Sequence, residues 1–142
     1  MTVREYLNQG YRLKQRIRLQ KQKIEELREL SRSISSPGFG EHYNASKNVD
    51  APFEKVLLKI FAQEAEQAKI LDILLTLEEE MTKVIDTVED IDLRMVLHYR
   101  YLCNWTWSRI GDELGWDERT IRRWHNKALS QVRLPEKITE IK

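Results

Sequence analysis

Cysteine, proline, glycine and long apolar runs are scarce in this sequence of 142 residues. A single cysteine, Cys103, cannot form an internal disulfide, which favours a reducing compartment. Three prolines and five glycines are too few for a turn-rich β protein and favour long helices. No run approaches the roughly 18 apolar residues of a membrane span, and the first residues lack the apolar core of a secretory signal. We therefore expect an intracellular protein that does not associate with membranes.

Patterns typical of catalysis or metal binding are also missing. His42, His98, His125 and Cys103 are too scattered along the sequence for zinc-ligand spacing. The three glutamates at 78–80 are more typical of a solvated charge run than of a metal or catalytic site. The sequence shows no glycine-rich phosphate loop and no nucleophile beside a base. We therefore predict that the protein is not an enzyme and that it uses no metal and no cofactor.

The net charge of +1 is a cancellation between segments of opposite sign. Residues 1–34 hold nine Lys and Arg against four Asp and Glu, whereas residues 53–90 hold four against ten. Residues 91–142 hold ten against seven, with no acidic residue between Arg119 and Pro135. The segments are therefore better interpreted one at a time than through the total.

Two long apolar series predict two long helices in the first 90 residues. One runs from Val3 to Ile34 and the other from Phe53 to Val88, both in alternating steps of three and four residues. Residues 35–52, between the two series, contain Ser-Pro-Gly and are predicted to form a loop. We predict helices at 3–34 and 53–90.

The apolar stripe of the second helix is wider than a two-helix seam, which indicates more than one neighbour. The first helix is basic and the second acidic, so the two should attract each other as a hairpin or coiled coil. An isolated hairpin would leave part of the wide stripe in water. We therefore predict that residues 1–90 self-associate; in the alternative, the long helices pack on the C-terminal part of a monomer.

Residues 91–134 predict three short helices. The first covers about 91–102, and Asn104 or Thr106 caps the second, Trp107–Leu114. Gly115 supplies a left-handed turn, after which Asp117 caps a third helix that runs to about Val132. Gly111 is small enough to let the second and third helices cross closely. This arrangement is that of a helix-turn-helix.

The third helix divides into an apolar face and a polar, basic face. Ile121, Trp124, Ala128 and Val132 lie on the first face at 100° per residue. The opposite face suits the major groove of DNA, because Arg can pair with guanine and Asn with adenine. The residues predicted to read bases are Arg119, Arg122, Arg123 and Asn126, and those predicted to contact phosphates are Ser108, Arg109, Thr120 and Lys127.

This segment resembles region 4 of bacterial sigma factors, which binds the promoter −35 element. The resemblance is carried by Leu93-Arg94, Val96-Leu97, Arg100-Tyr101, Ile110-Gly111, Leu114-Gly115, Thr120-Ile121-Arg122, Ala128-Leu129 and Val132-Arg133. Trp107, Trp116 and Trp124 depart from the pattern, as does Asp117 where Ser is common. The whole layout resembles small phage and prophage transcriptional regulators of the ArpU/RinA type.

These observations predict an all-α protein of three parts: a helical oligomerisation segment at 1–90, a DNA-binding domain at 91–134 and a tail at 135–142. The resemblance implies a regulator that binds double-stranded promoter DNA as an oligomer in the bacterial cytoplasm, associated with the nucleoid, and it allows RNA polymerase as a second partner. Two alternatives stay open. One is a small terminase-like DNA-packaging protein; the other is a polymerase-interacting protein with little DNA binding.

Overall fold

The computed structural model describes residues 1–34 and 45–141, and every regular element in them is helical. The elements are α1 (Val3–Ile34), α2 (Ala45–Ile85), α3 (Ile91–Leu97), a π-helical segment (His98–Leu102), α4 (Trp107–Leu114) and α5 (Glu118–Gln131). The prediction of an all-α fold with two long helices and three short ones is confirmed. Contacts divide the chain into a larger unit, residues 1–14 and 73–142, and a smaller unit, residues 15–72.

The bounds of α2 differ from the predicted 53–90. Residues 45–52, predicted as part of the loop at 35–52, are helical, while residues 35–44 lie outside the described residues. Pro52 therefore lies inside α2 and not in its first turn. Because proline has no N–H, it removes one backbone hydrogen bond of the helix. The helix ends five residues early, at Ile85, in a turn in which the Thr87 N–H donates to the Val84 carbonyl, and Asp90 caps the start of α3.

The smaller unit is a pair of helical segments from α1 and α2. Its core is a cluster of buried Ile24, Val56 and Ile60, extended by the partly buried residues Leu27, Ile34 and Leu57. Arg28 of α1 forms an ion pair with Glu64 of α2, as expected for a basic helix beside an acidic one. Both side chains are about half exposed, so apolar burial contributes most of the stability.

In the larger unit, the start of α1 and the end of α2 hold the C-terminal tail. The buried Gln9 side chain donates to the Thr139 carbonyl at 2.9 Å and accepts from the Ile141 N–H at 2.7 Å. Glu80 accepts from the Thr139 N–H, the Thr139 hydroxyl and the Tyr6 hydroxyl, each at 2.8 Å. Although partial burial opposes it, these hydrogen bonds lower the pKa of Glu80. The expectation that residues 78–80 are a solvated run was thus wrong for Glu80.

The other part of the larger unit is the bundle of α3, the π-helical segment, α4 and α5. Buried Val96, Ile110 and Ile121 form its centre. Partly buried aromatic and aliphatic side chains pack around them, namely Tyr99, Trp105, Trp107, Leu114 and Trp124. This core fixes the angle at which α5 lies against α3 and α4.

Candidate nucleic-acid interface

The bounds of α4 and the start of α5 are set by two caps and a glycine. Thr106 accepts a hydrogen bond from the Arg109 N–H at 3.2 Å and begins α4. Gly115 ends α4 at φ 76°, in the left-handed region where a side chain is strained. Asp117 then accepts from the Thr120 N–H at 2.9 Å and begins α5. The caps and the turn lie where the sequence predicted them.

Gly111 allows the close approach of the two helices. A Cβ at this position would lie 2.5 Å from the Trp116 carbonyl oxygen, which is backbone and cannot move aside cheaply. The Trp116 side chain is 54% exposed, and its ring lies against that of Trp124, with ring centroids 5.2 Å apart. The turn between α4 and α5 is therefore closed by the Trp116 backbone more than by its indole.

The residues predicted to contact DNA lie mostly on the surface of α4 and α5. All four predicted base-reading residues are exposed on α5, and three of the four predicted phosphate contacts are exposed as well. Thr120, the fourth, is half-buried and gives its N–H to Asp117. Ile121 and Ala128 on the opposite face are fully buried, and Val132 is nearly so. The basic side chains of α5 thus face away from the core.

The four predicted base-reading residues form two pairs. Within each pair, the two residues lie one turn apart on α5. Within the described chain, Arg119 and Arg123 have no side-chain hydrogen bond or ion pair, so their guanidinium groups can meet a ligand. Arg122 instead forms an ion pair with Glu118 at 2.8 Å. Asn126 accepts a hydrogen bond from the Arg4 guanidinium at 3.3 Å. Among the predicted phosphate contacts, Arg109 stacks on the Trp105 ring, 4.0 Å from its centroid.

Arg4 and Arg100 were not predicted as site residues, yet both lie beside α5. Arg4 reaches Asn126 from the first turn of α1. Arg100 belongs to the π-helical segment, which directs its guanidinium 4.1 Å from the centre of the Trp107 ring and onto the Trp105 carbonyl at 2.9 Å. Lys14 stabilises the end of that segment by donating to the Leu102 carbonyl at 2.7 Å. Only the fold brings these residues together, because they are far apart in the sequence.

His125 is the buried polar residue of α5, with 5% of its surface exposed. Its Nε2 lies 2.6 Å from the Tyr101 hydroxyl, and its ring meets the Trp107 ring edge-on at 4.6 Å. Burial, followed by the charges of Arg4 and Arg100, lowers the pKa of His125 to about 4. The imidazole is therefore neutral at pH 7, and the positive charge beside it comes from arginines.

Two helices joined by a tight turn, the second with an exposed basic face, define a helix-turn-helix. Residues 92–134 match the family model of Sigma-70, region 4, so the resemblance in the sequence is confirmed for this segment. A domain of this type binds DNA and is not catalytic. No curated protein and no solved structure matches the chain. Among the described residues, every helix is too short or too polar to span a bilayer.

Proposed function

We propose that this protein is a sequence-specific transcriptional regulator, encoded by a phage or prophage, that binds promoter DNA as an oligomer. The observation that supports DNA binding most directly is the exposed basic face of α5 within the segment that matches sigma region 4. In this proposal residues 91–134 bind DNA, residues 1–90 hold the oligomer together and residues 135–142 form a tail. The protein would act in the cytoplasm, at the nucleoid, with RNA polymerase as a second partner.

Arg119 and Arg123 are the best placed of the proposed base-reading residues, because both guanidinium groups are exposed and one turn apart. Arg122 and Asn126 complete the proposed set on the adjoining stripe of α5. Contacts to the phosphate backbone of DNA would come from Ser108, Arg109, Thr120 and Lys127. Contacts of this second kind fix register and orientation without reading sequence.

The test of this proposal is selection of bound fragments from phage and bacterial genomic DNA by the purified full chain. We expect recovered fragments to share a sequence element, and binding to weaken steeply as salt rises because phosphate contacts release counterions. Fragments without a shared element would exclude a sequence-specific regulator. Binding of polymerase but not of DNA would favour the polymerase-interacting alternative.

An exposed apolar stripe on α2 supports self-association. Leu58 and Phe61 are 67% and 59% exposed, and Leu71 is 42% exposed. Leu58, Phe61, Ala65 and Ala68 recur every three or four residues, so they lie along the side of the helix away from buried Val56 and Ile60, and Leu71 lies at the edge of this stripe. A second copy of this chain would cover these side chains, and a continuous stripe of this length is unusual on a monomer surface.

We expect the full chain to sediment as a dimer or tetramer at micromolar concentration. Phe61→Glu should weaken association at least about tenfold, since burying one Phe contributes roughly 1.5–3 kcal/mol. Gln22→Glu is the matched control, because Gln22 is exposed on α1, outside the stripe, and the charge change is the same. Analytical ultracentrifugation measures both. A strict monomer would contradict self-association, and a ring of many subunits would favour the DNA-packaging alternative.

A further inference from the structure

A pocket opens beside α5 within the larger unit, on the side of Arg122 and Asn126. Its volume is about 350 Å³, within the range of roughly 300–1,000 Å³ typical of small-ligand sites. Four segments of the chain contribute to it: the start of α1, the π-helical segment, the start of α4 and α5. The polar side chains that line it and carry the argument are Arg4, Asn8, Arg100, Tyr101, Arg122 and Asn126.

The lining of this arginine pocket is strongly positive. Three guanidinium groups converge on it, and no carboxylate is among the lining residues. Glu118 offsets the charge of Arg122 from outside, which leaves Arg4 and Arg100 without a counter-ion in the described chain. Their field also helps to keep the nearby His125 imidazole uncharged. Like charges held together repel one another, and an anion in the pocket would relieve that repulsion.

One of the three guanidinium groups, that of Arg100, is held in place before any ligand arrives. Arg100 lies 4.1 Å from the centre of the Trp107 ring and donates to the Trp105 carbonyl, so its remaining N–H groups keep a fixed direction. Arg122 is paired with Glu118 in an exposed ion pair and lies 5.8 Å from the same ring. Arg4 is anchored by one long hydrogen bond, of 3.3 Å, to Asn126. Preorganised donors lose little entropy when they bind.

We propose that the arginine pocket binds a phosphoryl group. A guanidinium offers a planar pair of N–H donors that matches two phosphoryl oxygens, and arginine is the residue that most favours such bidentate binding. Arg4 and Arg100 can each contribute such a pair, and the amide groups of Asn8 and Asn126 add further donors at the rim. A tetrahedral dianion has enough acceptor oxygens for all of them.

The phosphoryl group can come from two sources. One is a backbone phosphate of DNA bound along α5; this source rests on the proposed function. The other is a free phosphorylated small molecule, which would make the pocket an effector site that contacts the recognition helix through Arg122 and Asn126. Both sources require the same donors, so the pocket is tested first without DNA.

The first measurement is a two-dimensional NMR titration of the full chain with inorganic phosphate and with pyrophosphate, with sodium chloride adjusted to hold ionic strength constant. We expect saturable shifts of the Trp107 indole N–H and of the amides of residues 122–126. Arg4→Ala should weaken the fitted affinity by at least about tenfold, since a single charge-assisted hydrogen bond already contributes that much. Arg12→Ala, which removes the same charge from an exposed position outside the pocket on α1, should change it less than twofold.

The second measurement repeats the comparison with a DNA duplex, at matched ionic strength and with pyrophosphate added or omitted. The source is the DNA backbone if pyrophosphate and the duplex compete and if Arg4→Ala binds the duplex more weakly than Arg12→Ala does. Simultaneous binding identifies a free phosphorylated molecule. If neither anion nor duplex shifts the pocket residues, or if Arg4→Ala and Arg12→Ala behave alike, the proposal is wrong. Anion binding without duplex binding would support the pocket as a phosphoryl site and would overturn the proposed DNA function.

Discussion

Arg123→Ala is expected to lose preference for a selected DNA site while keeping its binding to unrelated DNA. Arg123 is exposed on α5 and has no hydrogen-bond or ion-pair partner in the described chain, so its removal breaks no internal hydrogen bond or ion pair. A bidentate arginine–guanine pair contributes about 1–3 kcal/mol of discrimination, which is a loss of roughly five- to 150-fold in the ratio of specific to unspecific affinity. Arg119→Ala should show an effect of the same kind. Competition binding with selected and scrambled duplexes measures that ratio.

Lys127→Ala is the matched control, because Lys127 lies one turn further along α5 and carries the same charge. As a phosphate contact it should weaken binding to every duplex about equally and flatten the salt slope by about 1. If Arg119, Arg122 and Arg123 can all become Ala in a folded protein whose site preference is unchanged, α5 does not read the DNA. The match to sigma region 4 would then describe a fold without its function.

The sequence predicted the helices well wherever local signals determine the structure. Helix α1 has the predicted bounds, since no proline interrupts it and its apolar spacing is sustained from Val3 to Ile34. The caps Thr106 and Asp117 and the left-handed Gly115 also lie as expected, because each acts on backbone groups within three or four residues of itself. Such signals can be detected without knowledge of the fold.

The sequence predicts a start of α2 that is later than the observed one, at residue 53 instead of Ala45. Proline is tolerated best in the first turn of a helix, but Pro52 lies about two turns inside α2, where it removes one backbone hydrogen bond. Residues 45–51 contain no glycine and no further proline, so the helix extends back to Ala45 through them. The apolar spacing begins at Phe53 and could not reveal these earlier turns.

The surroundings of α5 could not be predicted, because they depend on contacts between distant parts of the sequence. Arg4 and Asn126 are separated by 122 positions, and Gln9 and Thr139 by 130. The sequence predicts one short helix around Arg100, but residues 98–102 are π-helical. No periodicity encodes such a change. The arginine pocket is therefore a property of the fold and not of any motif.

The stability of the protein is expected to fall by roughly 3 kcal/mol between pH 6.5 and pH 4 because of His125 alone. In the folded protein, burial lowers the pKa of this imidazole to about 4, with Arg4 and Arg100 adding to the shift. In the unfolded chain it titrates near 6.5, so the unfolded state binds more protons over this interval. The contribution is fully present above pH 6.5 and is lost as the pH falls toward 4.

His125→Gln isolates this contribution, because glutamine does not titrate and its amide can still hydrogen-bond the Tyr101 hydroxyl. Urea unfolding of both proteins at pH 7, 5.5 and 4 gives the difference in unfolding free energy at each pH. Glu80 and the other carboxyls titrate in both proteins and cancel in that difference. As the pH falls from 7 to 4, we expect the unsubstituted protein to lose roughly 3 kcal/mol of unfolding free energy relative to the variant. A difference that is flat with pH, or a His125 ring that titrates near pH 6.5 by NMR in the folded protein, would show that Arg4, Arg100 and burial do not act on His125 as the structure implies.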